Sequence, residues 1–341
     1  MASLSALQRD RVKLYLRIVA VSAVVGAAYG AFLRQTALAV WASMAIGVIN
    51  AAGISGSIGA IEVFLLREGS SMKRLLRLPF IAVVLLKTVA YAVIVTVFIV
   101  GVPQLLGAVT LGRTASLVAI GFSLAMTLII VVTLQAASLV GRSTFRNLVL
   151  GRYRNPRAER RFFLFVDVVG STAIAERLGA MQAHLFLAAV FSATAEAVAA
   201  ARGEVYQYVG DEIVVTWTEE EGLPGARPLA CLSDMRAALD AAAPDFRARF
   251  GAGPELRAAL HLGEVIAGEV GEQRRAIVYH GDVMNTASRL EQATRQLGCR
   301  FIVSDAALSA LGHPEGFSYR DLGELDLRGR RQAIRAWAVE T

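Results

Sequence analysis

The sequence predicts an all-α membrane bundle of four helices followed by an α+β domain in which helices pack over a mostly antiparallel sheet. Two observations carry that expectation. Charge and apolar character divide unevenly along the 341 residues: the first 141 hold eleven Lys and Arg against three acids, Asp10, Glu62 and Glu68. The total charge is +7, so the remainder carries a net −1 and the basic excess belongs to the apolar part. Beyond residue 160 the pattern changes to short β-runs alternating with segments of helical spacing. A basic excess confined to apolar sequence argues against a nucleic-acid-binding surface. The expected organisation is 1–140 membrane bundle, 141–160 linker and 161–341 α+β domain.

Apolar runs cover Leu14 to Phe32, Leu38 to Leu66, Phe80 to Val102 and Ala115 to Val140, each near or above the about 20 residues that cross a bilayer as helix. In the long second run, Asn50, Gly53, Gly56 and Gly59 leave a tilted or broken helix open, and a five-crossing count with it. Four crossings put both chain ends on one side. Arg9, Arg11, Lys13 and Arg17, then Arg67, Lys73, Arg74 and Arg77, then Arg142, Arg146 and Arg152 all fall on that side, and only Arg34 and Arg113 fall opposite. By the positive-inside tendency, the ends and the second domain are cytoplasmic, against an inner-membrane anchor. The first run lacks a small-residue cleavage site, so it reads as an anchor rather than a removed signal. Glu62 and Lys87 sit within about two turns of the expected cytoplasmic helix ends, where snorkelling or mutual pairing suits them better than a transport role.

The linker GRSTFRNLVLGRYRNPRAERR, Gly141 to Arg161, is basic, with room for a helix of about three turns ending near Pro156. It reads either as a solvated tether beside anionic headgroups or as an element coupling the bundle to the domain. The expected elements then follow in order. Phe162 to Val166 is an apolar strand and Ala173 to Ala201 a helix; Val205 to Tyr208 and Ile213 to Trp217 form a hairpin. Pro228 to Phe250 is a second helix, before strands at Leu256 to His261 and Ala276 to Tyr279. Met284 to Gln296 is a helix, Phe301 to Val303 a strand, and Phe317 to Leu322 with Ile334 to Val339 close the chain. Cys231 and Cys299 are isolated and read as small buried hydrophobes, not as a disulfide or zinc pair.

The chemistry concentrates in three segments. Asp167 in RFFLFVDVVGST and Asp211 in VYQYVGDEIVVTW each stand where an apolar strand meets a glycine turn, so a sheet holds both as hard oxygen ligands for Mg²⁺. Backbone amides of Gly170, Ser171 and Thr172 open a helix whose N-terminus suits phosphate oxygens, although Ser171 or Thr172 also reads as a plain N-cap. In GDVMNTASRLE, Asn285 and Arg289 are four residues apart on a helix and emerge from one face.

Jointly these motifs resemble the catalytic domain of the class III nucleotide cyclases, the adenylate and guanylate cyclases, from about Arg161 to Val339. The resemblance implies a ferredoxin-like, palm-type sheet and conversion of ATP to cyclic AMP and pyrophosphate, with GTP as the alternative substrate. It implies two Mg²⁺ or Mn²⁺ ions per site held by Asp167 and Asp211, with Asn285 orienting the ribose and Arg289 meeting charge on the reacting phosphate. It further implies a homodimer in which each site takes its aspartates from one chain and its Asn and Arg from the other. Most members carry a lysine and an aspartate or threonine at the base-reading positions; this chain has Gln207 and Val278. Arg328 takes the place of a late phosphate-binding lysine, or lies in a solvated charged turn. Two other readings remain open: a cyclase-like domain that senses nucleotide without turnover, and a diguanylate cyclase, whose turn VGDE at Val209 to Glu212 is similar but whose pattern has no NTASR helix.

Overall fold

A computed structural model describes residues 6–33, 40–61, 78–105, 121, 124–125, 128–129, 131–133, 135–136, 139–272, 275–327 and 332–340. The chain divides into two compact units, Met1–Val140 and Gly141–Thr341.

The first unit is helical wherever a long element is described. Helix α1 spans Ala6–Leu33, α2 Val40–Ala60 and α3 Phe80–Thr96. One π-helical turn, Val97–Gly101, continues α3. Its cause is local: Pro103 has no N–H to give the carbonyl four residues back, so the ladder slips as it approaches that residue. Gly53, Gly56 and Gly59 do not break α2, which runs continuously through them. Helices α1 and α2 meet through small residues spaced four apart, Gly26 and Gly30 against Ser43 and Gly47. A Cβ on any of these three glycines would collide with a backbone oxygen of the facing helix. This is how helices approach closely where no water drives them together. The Tyr15 hydroxyl closes the other end of the crossing by donating to the Gly56 carbonyl at 3.0 Å.

Among the described residues four helices are long and apolar enough to cross a membrane. Three lie in this unit: Tyr15–Phe32, Val40–Ala60 and Phe80–Gly101. The remaining one, Ala180–Ala200, belongs to the second unit, where its apolar face covers a sheet. Most of the run Ala115 to Val140 lies outside the described residues, and the positions that are described in it are helical. Glu62 and the basic residues between 62 and 77 also lie outside them.

The second unit is an α+β fold on one eight-stranded sheet. Its strands are β1 Arg157–Val168, β2 Glu204–Val209, β3 Glu212–Thr218, β4 Leu256–Val270, β5 Ala276–His280, β6 Phe301–Ser304, β7 Ser318–Leu325 and β8 Ile334–Glu340. The order is β2-β3-β1-β4-β6-β8-β7, with β5 paired to the far half of β4. Among the described strands only β4 and β6 pair in parallel. Strand β1 lies in the middle and is covered on both faces, which is why its sequence is a continuous apolar run rather than an alternation. Phe162, Leu164, Val166 and Val168 face one layer, formed by α6 Ala180–Ala200 and α7 Arg227–Phe250. Phe163 and Phe165 face the other, where α8 Asp282–Gln296 packs through Val283 and Ala287. Each such buried side chain contributes about 1.5–3 kcal/mol.

Two sequence expectations change. The linker helix α4 is Arg142–Val149, about two turns instead of three. Gly151, at φ +60°, ends it: its N–H bonds Leu148 O at 3.1 Å and that of Arg152 bonds Asn147 O at 3.0 Å, a left-handed glycine cap. The single helix expected over Ala173 to Ala201 is two, α5 Ser171–Leu178 and α6, broken at Gly179 with φ +78° and ψ 159°. A further helix, α9 Asp305–Leu311, follows β6.

Candidate active site

Residues 163, 165 and 167 of β1 share one face of the strand, so the alternation that buries Phe163 and Phe165 carries Asp167 to the α8 side. There it is 5 % exposed. In the sheet register Glu212 of β3 stands on one side of Asp167 and Arg257 of β4 on the other, giving a charged row across three strands. Asp211 occupies the two-residue turn between β2 and β3, beside this row. Gly210 takes φ +62° in that turn, which a side chain would strain.

The two aspartates come together. The Ser171 hydroxyl, from the first turn of α5, donates to Asp211 Oδ2 in a short hydrogen bond. Burial raises the Asp167 carboxyl above its ordinary range; Arg295 pulls it back and the neighbouring Asp211 pushes it further up. Gly170, at φ +71°, is the N-cap of α5, so Ser171 is its first helical residue and not the cap. The first-turn amides of Ser171 and Thr172 have no intrahelical partner and point out of the helix start.

Helix α8 completes the surroundings with residues not singled out from the sequence. Arg295 Nη2 donates to Asp167 Oδ2 at 2.9 Å. Glu291, one turn earlier, is buried, and its Oε1 has no hydrogen-bond partner, as is also true of the Arg257 Nε. Burial, then Asp167, push the Glu291 carboxyl up to about 6, against Arg295 and Arg257. Burial, then Glu291, Asp167 and Asp211, push Glu212 up to about 7. Glu291 and Arg295 repeat the four-residue spacing of Asn285 and Arg289, but spacing alone does not say which pair faces the strand carboxylates.

Asn285 and Arg289 lie elsewhere on α8. Asn285 is exposed; Arg289 is half-buried with its Nη1 unpartnered. Neither bonds Asp167 or Asp211. At 1.5 Å per residue, Asn285 lies about 15 Å and Arg289 about 9 Å along the helix from Arg295. Gln207 is exposed on the edge strand β2 and Val278 half-buried on β5. The adjacent Tyr206 and Tyr279 touch, with ring centroids 5.0 Å apart, so the two strands come close. Under them the Arg161 side chain, 2 % exposed, lies 4.7 Å over the Tyr279 ring and pairs with Glu159 at 3.0 Å and Glu204 at 3.3 Å. The sequence suggested a basic linker residue there. Thr144 of α4 donates to the same Glu204 at 3.1 Å, a contact between the linker helix and β2. Arg328 lies outside the described residues. Cys231 is buried, Cys299 half-buried, and both are free thiols.

Among the described residues no three His, Cys, Asp or Glu side chains form a metal cage. Two carboxylates are nevertheless a suitable donor set for Mg²⁺ or Mn²⁺, which keep water and substrate phosphate as their other ligands. The crowded acids fit a cation as well, since each of Asp167, Glu212 and Glu291 is held above its ordinary range. In chelator, the domain is therefore expected to lose stability as pH rises from about 5 to about 7.5, because these groups resist ionisation in the fold but not in the unfolded chain. Thermal unfolding at the two pH values checks this; Mn²⁺ should narrow the gap, and a melting temperature that rises with pH would contradict it.

One aspartate on β1 and one in the β2–β3 turn thus stand together beside a helix N-terminus, a donor set that suits a divalent cation next to phosphate oxygens. The sequence profile of the adenylate and guanylate cyclase catalytic domain matches residues 155–341, and the chain belongs to that family. It is 38 % identical over 205 residues to adenylate cyclase 2 of Rhizobium meliloti, covering 60 % of this chain and 56 % of that protein. It is 28 % identical over 187 residues to an adenylate cyclase of Anabaena cylindrica, covering 53 % and 37 %. The chain thus spans about half the length of these curated relatives or less. A bacterial light-regulated adenylyl cyclase shares the fold with TM-score 0.56 at 18 % identity, over 68 % of each chain.

Proposed function

We propose that the protein is a membrane-anchored adenylate cyclase that converts ATP to cyclic AMP and pyrophosphate. The carrying observation is the pairing of Asp167 with Asp211 at the start of α5, in a domain of the cyclase family. Asp167 and Asp211 would hold two Mg²⁺ or Mn²⁺ ions, and such ions, when bound, would supply charge stabilisation to the displacement at phosphorus. The amides of Ser171 and Thr172, with Gly170 leaving room for the approach, bind phosphate oxygens; Arg328 adds a cation to the same task. Asn285 positions the ribose so that its 3′ oxygen bonds to the α-phosphorus as the bond to pyrophosphate breaks and the hydroxyl proton passes to solvent. Arg289 offers two donors to the charge that develops there.

Asn285 and Arg289 stand well along α8 from the aspartates of their own chain, and this supports a homodimer in which each site is completed by the partner, giving two equivalent sites. The three long apolar helices of the first unit, the fourth apolar run Ala115 to Val140 and the basic residues flanking these runs support a membrane anchor with the chain ends and catalytic domain on the cytoplasmic side.

Gln207 and Val278 favour a second reading for the base. One amide both donates and accepts, so Gln207 serves the adenine edge directly and the guanine edge when rotated. An equimolar ATP and GTP mixture given to the purified protein with Mn²⁺ decides it. Cyclic AMP in excess is expected; cyclic GTP-derived product in excess would assign a guanylate cyclase, and neither product would leave a nucleotide-binding module.

A further inference from the structure

We propose that Arg295 is the resident counter-cation of the paired-aspartate site: it holds Asp167 while no divalent ion is bound, competes with that ion for the carboxylate, and so sets the metal affinity. The proposal rests on the reading of Asp167 and Asp211 as cation ligands.

The two partners are unequal. The Asp167 side chain is 7 % exposed and fixed in the central strand, whereas that of Arg295 is 58 % exposed on the last turn of α8. A nearly buried carboxylate with Asp211, Glu212 and Glu291 around it needs a cation, and the Arg295 guanidinium supplies one, donating to it at 2.9 Å. Arg257, its neighbour in the sheet register, is the other nearby cation and makes no hydrogen bond through its buried Nε. A divalent ion seated on the two aspartates supplies the missing charge twice over and repels a guanidinium in contact with the same oxygen. Arg295 is the mobile partner, so it is the one that leaves.

The structure also offers it a second berth. Glu291 lies one helical turn earlier, and its buried Oε1 lacks a hydrogen-bond partner. Glu four residues ahead of Arg is the favourable order for a pair on a helix. Arg295 thus has two acceptors, Asp167 when the site is empty of metal and Glu291 when it is filled, and the orphaned carboxylate oxygen gains a reason.

The test is Mn²⁺ binding to the full chain in detergent without nucleotide, followed by electron paramagnetic resonance. Removing an ion pair that is exposed on one side should tighten Mn²⁺ binding by about fivefold in Arg295→Ala. Arg295→Lys keeps the charge and should stay within about twofold of the native protein. Unchanged or weaker Mn²⁺ binding in Arg295→Ala overturns the proposal; unchanged Mn²⁺ binding with weakened ATP binding would make Arg295 a phosphate ligand instead. Asp167→Asn separates the two levels of the argument. If it binds Mn²⁺ as the native chain does, or if neither binds, the cation-ligand reading fails and takes this proposal with it.

Discussion

Asp167→Ala and Asp211→Ala are each expected to abolish cyclic-nucleotide formation while leaving the domain folded. Each substitution removes half of the carboxylate set proposed to hold the ions. Metal stabilisation of transition-state charge amounts to several kcal/mol, and at about 1.4 kcal/mol per tenfold the loss should reach at least about 10³-fold. Folding survives for a physical reason. Asp167 is nearly buried and held above its ordinary pKa, so an alanine there relieves a carboxylate that the fold does not favour in ionised form. Asp211 sits in a turn whose conformation is set by Gly210, not by the aspartate side chain. Turnover and thermal unfolding measured on the same preparations check both halves, and activity within about tenfold of native would remove the aspartates from the reaction.

The second large effect distinguishes a shared site from one built within a chain. Asn285→Ala alone should lose activity by about 10²-fold or more, as expected for a donor that positions the reacting oxygen. Mixed with Asp167→Ala chains it should recover. In a mixed dimer both lesions fall in one site, and the other takes its aspartates from the Asn285→Ala chain and its asparagine from the Asp167→Ala chain. Random pairing makes about half of the dimers mixed, each with one working site, so recovery to about a quarter of native activity is expected. Dimers shown to mix without recovery would contradict the shared site. The basis is the geometry of α8, in which Arg295 reaches Asp167 of its own chain and Asn285, about 15 Å along the helix, does not.

What the sequence disclosed, and what it hid, follows from the range of each interaction. The apolar run of β1, the glycine turns after Asp167 and before Asp211, and the NTASR helix are local patterns, and the structure realises them. The Gly151 stop in the linker and the Gly179 break after α5 are also local, yet glycine within a helical pattern does not announce whether it will adopt positive φ. Arg161 is different in kind. Its place in a basic stretch suggested solvent, and only the arrival of Glu204 from β2 and Tyr279 from β5 makes burial possible. The same holds for Glu212, Arg257, Glu291 and Arg295, which gain meaning when β3, β4 and α8 converge on Asp167. The small-residue crossing of α1 and α2 was present as a spacing of glycines, but its partner surfaces are fixed only by the pairing of the helices.

The reaction itself is tested most directly by the products of the purified full chain supplied with Mn²⁺ and ATP, with Asp167→Ala as the control. Equal amounts of cyclic AMP and pyrophosphate from the native protein, and neither from the variant, are predicted. No cyclic nucleotide from the native protein, or equal product from both proteins, would contradict the account.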